Sequence, residues 1–146
     1  MSSERDMRKR VCRALKPLHP ICVENGCGMG TPDVNLSTGA WLELKSVEGW
    51  PEGEQTPLRI PHYSQDQRVW AILRSRAPQG EVYLLLKVGP DWLLFDGLMA
   101  ADLVGKPGGT QQMLWDNCLV GWEGYLEDSE LLAVMRGDEV HLEHGK

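Results

Sequence analysis

The stretch from Gly30 to Lys45, G-T-P-D-V-N-L-S-T-G-A-W-L-E-L-K, restricts this chain more than any other. It reads as two short strands joined by a tight turn. The first strand is Asp33 to Leu36, opened by Pro32. The turn is Ser37-Thr38-Gly39, where the glycine is able to take a positive φ, and the second strand runs from Ala40 to Lys45. Side chains alternate faces along a strand, so Trp41, Glu43 and Lys45 share one face and Leu42 and Leu44 the other. Two leucines then face a core, while a carboxylate and an ammonium stand side by side on the opposite face. If the hairpin pairs, Asp33 comes near Glu43. Two carboxylates that close repel each other, and the arrangement persists only with a cation between them. Mg²⁺ is the natural candidate, because it takes oxygen ligands and keeps several waters that can attack phosphorus. The same pattern also fits a plain cross-strand salt bridge on a half-exposed hairpin.

Composition bounds the class. A chain of 146 residues, 42% hydrophobic and 25% charged, suits one soluble domain with one core. No apolar run is long enough for a membrane span, and the charged N-terminus lacks the apolar centre of a secretory signal, so a cytoplasmic protein is expected. Four cysteines (Cys12, Cys22, Cys27 and Cys118) do not suggest a disulfide scaffold, and reduced thiols are the default. Net charge is −6, but it is unevenly spread. Met1 to Lys16 carries six basic residues against two acids, and Glu123 to Lys146 seven acids against Arg136 and Lys146. A basic end permits a nucleic-acid face, and an acidic end reads as solvated surface.

Pro32-Asp33 followed at a distance by Glu43-Leu44-Lys45 resembles the PD-(D/E)XK signature of the restriction-endonuclease-like nucleases. Gly30-Thr31 and the later Ser64 and Gln67 are similar to the phage and VRR-NUC-type branch, which includes junction-resolving endonucleases. The resemblance covers roughly residues 1 to 97. It implies an α/β core, a mixed β-sheet flanked by helices in the order αβββαβ, with residues from about 98 to 146 as a peripheral extension of one nuclease domain or a dimer surface. It further implies a Mg²⁺-dependent endodeoxyribonuclease, with Mn²⁺ as a substitute and no organic cofactor. Asp33 and Glu43, with the Leu44 carbonyl, are the implied metal ligands; Glu24, just before the segment from Asn25 to Gly30, reads as a supporting or additional metal carboxylate or as a plain strand-end acid. Lys45 would orient water and stabilise charge on the phosphate, and Gln67 would approach the scissile group. Glu4 is the candidate for an acid contributed by the first helix. Arg8, Arg10, Arg68 and Lys45 are the expected DNA contacts. Branched or junction DNA, a homodimer cutting two strands, and a phage source acting in the host cytoplasm complete the expectation. The alternatives are a nicking or structure-non-specific DNase, a non-catalytic DNA-binding or interaction module that keeps the fold, and an RNA-directed enzyme.

The remaining chain supplies the frame. A first helix, capped by Ser2 or Ser3, runs to about Leu15 and is closed by Pro17, with Met7, Val11, Ala14 and Leu15 as its apolar stripe. Its arginines fall mainly on the other faces. His19 to Glu24 reads as a strand, and Asn25 to Gly30 as a glycine-rich loop able to approach a metal-bound phosphate. His19, Cys22 and Cys27 match no zinc pattern well. Ser46 to Arg59 is a loop, on which Trp50 serves either to stack on a base or to lid the core. Ser64 with Gln67 forms a capping box that starts a helix ended by Pro78, with Val69, Ile72 and Leu73 expected on its buried face and Arg68, Arg74 and Arg76 on or near its exposed side. His62, beside this helix, either contacts phosphate or simply enters the helix. Glu81 to Val88 is a strand buried on both faces, and Asp91 to Asp96 pairs with it as a hairpin. Gly97 to Leu103 reads as a short helix, and Gly105 to Thr110 lacks the Walker A spacing. Strand character recurs around Leu119 to Trp122, a helix around Asp128 to Met135, and His141 and His144 sit in a frayed tail.

Overall fold

Chain order and sheet order coincide. The computed structural model describes residues 4–23, 30 and 32–138. Helix α1 (Glu4–Ala14) is followed by a 3₁₀ turn (Lys16–Leu18), then β1 (Ile21–Cys22), β2 (Val34–Asn35) and β3 (Trp41–Val47). Helix α2 (Gln65–Arg76) leads to β4 (Val82–Val88), β5 (Asp91–Asp96) and α3 (Gly97–Leu103). Then come α4 (Gln111–Asn117), β6 (Val120–Trp122) and α5 (Asp128–Arg136). The strands form one six-stranded mixed sheet in the order β1-β2-β3-β4-β5-β6. Every pair is antiparallel except β3 and β4, which run parallel on either side of the α2 crossover. The fold is therefore α/β, with helices on both faces of a mixed sheet. Among the described residues no helix is long and apolar enough to cross a membrane.

Two apolar cores cover the two faces. On one, Met7, Val11, Ala14 and Leu15 of the α1 region and Leu131 and Met135 of α5 pack on Leu42, Leu44, Leu85, Leu94 and Trp122. On the other, Tyr63, Ala100, Val104 and Leu114 pack on Leu84, Leu86, Leu93 and Phe95. The α1 stripe read from the sequence is the buried one. The hairpin turn also forms as expected, with Gly39 at φ 93° and β2 in register Val34 to Leu42 and Asn35 to Trp41.

Three expectations differ. The first strand shrinks to Ile21–Cys22, both exposed, because it lies at the sheet edge with only the two-residue β2 to pair with. On α2 the buried residues are Arg68 and Ala71, whereas Val69 and Leu73 are 41% and 62% exposed. The capping-box geometry at Ser64 aims that helical stripe at the body, and Arg68 is accommodated there by polar and aromatic partners rather than by solvent. The described residues after 97 do not form a peripheral extension: β6 completes the sheet, and Leu114, Trp122, Leu131 and Met135 are part of the two cores.

Candidate functional site

The hairpin β2–β3 brings Asp33 onto the open flank of β3. Strand β2 begins only at Val34, so beside Leu44 the place of a strand partner is taken by the Asp33 side chain: Oδ2 accepts the Leu44 amide at 2.8 Å. The two main-chain groups of a strand residue point to the same neighbour, so the Leu44 carbonyl lies on that same flank. Glu43 and Lys45 point to the α2 side of the sheet and are only 5% and 4% exposed. Lys45 Nζ donates to the His62 carbonyl at 2.9 Å and stands 3.3 Å from Glu43 Oε2. The Gln67 amide donates to the same Glu43 oxygen at 3.2 Å. Asp33 and Gln67 are half-buried and form the more accessible side of the cluster.

Helix α2 positions Gln67 through its cap. Ser64 Oγ accepts the Gln67 amide N–H, and Gln67 Oε1 accepts the Ser64 N–H at 2.9 Å, so the side chain is anchored by its oxygen while its nitrogen reaches Glu43. Gly30 closes the other wall. At φ 86° its backbone lies so close to the first turn of α2 that a Cβ would stand 2.3 Å from the Asp66 carbonyl oxygen. What this end of the glycine-rich segment approaches is thus the helix that carries Gln67. His62, at φ 70°, holds a left-handed conformation that costs a non-glycine residue strain, and its carbonyl is the one that meets Lys45.

Electrostatics set this cluster apart. Burial, and next the Asp33 charge, push the Glu43 carboxyl up to about 9, with Lys45 opposing. Burial and the Asp33 charge thus favour the protonated form of the Glu43 carboxyl over its carboxylate. Among the described residues no group of three or more His, Cys, Asp or Glu side chains gathers anywhere. Among the described residues, the cluster offers a cation two carboxylates and a nearby carbonyl. That set fits Mg²⁺, a hard ion that is commonly held by one or two carboxylates with water and phosphate as its other ligands.

The other predicted residues are placed as follows. Glu4 lines a cleft of about 450 Å³ with Ser46, Arg59 and His62, next to the Lys45 contact. Arg8 and Arg10 lie on α1, across the sheet from Glu43 and Lys45, and Arg10 bonds Asp128 and the Leu126 carbonyl. Arg68, expected at the exposed side and in contact with DNA, is buried: it donates to the Ala101 carbonyl at 3.0 Å and stacks 4.1 Å over the Tyr63 ring. Trp50 takes the lid role, bonding Asp91 at 2.8 Å beside Trp115. Glu24 lies outside the described residues, as do Cys27, His141 and His144.

Sequence reasoning missed the Tyr63–Arg68 pair. These positions precede and follow the cap at the spacing of a hydrophobic staple, here made by a cation over a ring. The capping box at Ser64 was the available signal. Burial pushes the Tyr63 hydroxyl up to about 12, Arg68 opposes this, and Glu43 adds to it, which places Tyr63 in the field of the cluster. Comparison of the chain with protein families, curated proteins and solved structures finds no match.

Proposed function

We propose that the protein is a divalent-metal-dependent endonuclease of the PD-(D/E)XK type that hydrolyses DNA. The observation that carries this reading is the convergence of Asp33, Glu43, Lys45 and Gln67 on one polar cluster, in which Glu43 and Lys45 are the only charged side chains among the buried strand positions described. Asp33 and Glu43, with the Leu44 carbonyl, would hold Mg²⁺. When bound, that ion supplies Lewis acidity toward a phosphoryl oxygen and a more acidic water. The Gln67 amide and the Lys45 ammonium both hold the Oε2 atom of Glu43. The Lys45 ammonium, a compact point charge held by the His62 carbonyl, is suited to stabilise negative charge building on a phosphate. Preference for branched or junction DNA, and action as a homodimer, extend the same reading from the sequence resemblance.

The near-complete burial of Lys45 favours a second reading, a non-catalytic DNA-binding module in which the cluster is a structural ion network. One experiment separates the two. Labelled linear duplex, single strand, flap and four-way-junction DNA are incubated with the protein in Mg²⁺, Mn²⁺ or EDTA, alongside Glu43→Gln. Metal-dependent cutting lost in the variant supports the nuclease, and cutting confined to the junction supports the branched-DNA preference. Binding without cutting in either metal sinks the nuclease reading.

A further inference from the structure

Away from the acidic cluster, Cys12 Sγ and Cys22 Sγ lie 3.3 Å apart, joining the flank of α1 to the edge strand β1. A disulfide requires about 2.05 Å between sulfurs, a small further approach for two side chains already in contact. The two thiols differ in setting. Cys12 is half-buried against the α1-side core, and Cys22 is exposed. Cys118, by contrast, is buried and bonds the Trp115 carbonyl on the opposite face of the sheet. We propose that Cys12 and Cys22 are a covalent modification site, a reversible disulfide that fastens the sheet edge to α1.

The edge is where such a bond has the most to hold. Strand β1 pairs with β2 through Ile21 with Asn35 and Cys22 with Val34. The next residue, Val23, donates its amide to the Asp33 carbonyl at 2.8 Å. One bridge therefore anchors the segment that lies against Asp33.

The chemistry balances with a small-molecule disulfide such as oxidised glutathione as the oxidant. The exposed Cys22 thiolate attacks one sulfur of the oxidant, forming a mixed disulfide and expelling one thiolate. Cys12 then loses its proton and attacks the Cys22 sulfur, expelling the second thiolate. Two protein thiols become one disulfide, the oxidant is reduced to two thiols, and both protons end on the released thiols. Burial, with the hydrogen bond and charge of Cys22, pushes Cys12 up to about 12, and Arg8 opposes this. The first step removes the Cys22 thiol as an influence on Cys12, which eases ionisation of Cys12 for the second.

The test uses the full chain, treated with oxidised glutathione or with dithiothreitol and digested without reduction by trypsin plus a glutamyl endoprotease. Arg13 and Glu24 separate Cys12, Cys22 and Cys27 into different peptides. A Cys12–Cys22 linked peptide, lost on reduction, is expected, together with a rise of about 5 °C in the Tm of the oxidised protein. Cys22→Ser, at an exposed position, should fold normally and show neither. Bridges confined to Cys27 or Cys118, or glutathione adducts on Cys22 that never resolve, would overturn the proposal. DNA cleavage is not part of the readout, so the result stands apart from the nuclease reading.

Discussion

Strands β3 and β4 are parallel neighbours of seven residues each, and both send leucines into the α1-side core: Leu42 and Leu44 from one, Leu85 from the other. On the α2 side they part. The register sets Glu43 beside Leu84 and Lys45 beside Leu86. The same covered surface thus accepts leucine on one strand and two ionisable groups on the next. Packing alone does not call for Glu43 and Lys45, since buried ion pairs are often no more stabilising than apolar residues of similar volume. What differs is access to the Asp33 flank, where β2 has not yet begun, and to the cap of α2. The contrast teaches that the polar positions follow the site and not the sheet.

The largest expected effect breaks the contrast chemically. Asp33→Ala and Glu43→Gln should each lower Mg²⁺-dependent single-turnover cleavage by about 1,000-fold or more. Full rate in Asp33→Ala would remove Asp33 from the metal site.

The next effect makes β3 resemble β4. Lys45→Met alone should cost about 2–3 kcal/mol in urea unfolding, because it strips the His62 carbonyl and Glu43 of their partner. The double change Glu43→Leu with Lys45→Met should regain the part of that loss that comes from the stranded Glu43 carboxyl, while staying inactive. A double variant weaker than the single one would mean that the two strands have different packing demands after all.

A pH series sharpens the comparison. The Glu43 carboxyl is raised from 4.5 to about 9, so the folded state holds a proton there that the unfolded state has released. Its contribution to stability is fully present below about 4.5 and is lost as pH rises through about 9. In EDTA, the urea midpoint of the wild type should fall across that window, and the Glu43→Leu, Lys45→Met protein should show a flatter profile. Equal profiles would show that Glu43 keeps no such proton.

The smallest expected effect lies at the helix cap. Ser64→Ala and Gln67→Ala should each cost about 1 kcal/mol by removing half of the capping box. Only Gln67→Ala should also lower cleavage, because only that residue touches Glu43. Equal activity in the two variants would reduce Gln67 to a helix cap.

Period-2 alternation made the hairpin legible, and with it the faces of Leu42, Glu43, Leu44 and Lys45. The cap at Ser64 was legible because its two hydrogen bonds are local. Burial of Glu43 and Lys45 was not, since it depends on α2 and on the His62 carbonyl, which arrive from far along the chain. The inward turn of Arg68 escaped for a similar reason: a guanidinium reads as surface until Tyr63 and the Ala101 carbonyl are placed around it. Helix α4 was hidden in a segment of mixed polarity. Strand β6 lacks alternation because Gly121 leaves its side-chain space to the Trp115 ring, where a Cβ would stand 2.2 Å from a ring carbon.

Because sheet order follows chain order, every strand finds its partner next along the chain, and the connections differ in length and, at the β3–β4 crossover, in direction. The β2–β3 and β4–β5 pairs close through short turns, whereas β3 and β4 meet only after the segment from Glu48 to Glu81 has folded back. Closing that long segment carries the larger loop entropy. The Asp33–Glu43 hairpin is therefore free to form early and wet, and the dehydration of Glu43 falls late on the folding route, when β4 and α2 cover it. Acidification then acts chiefly on the rate at which the finished protein opens and leaves the rate of its assembly nearly unchanged.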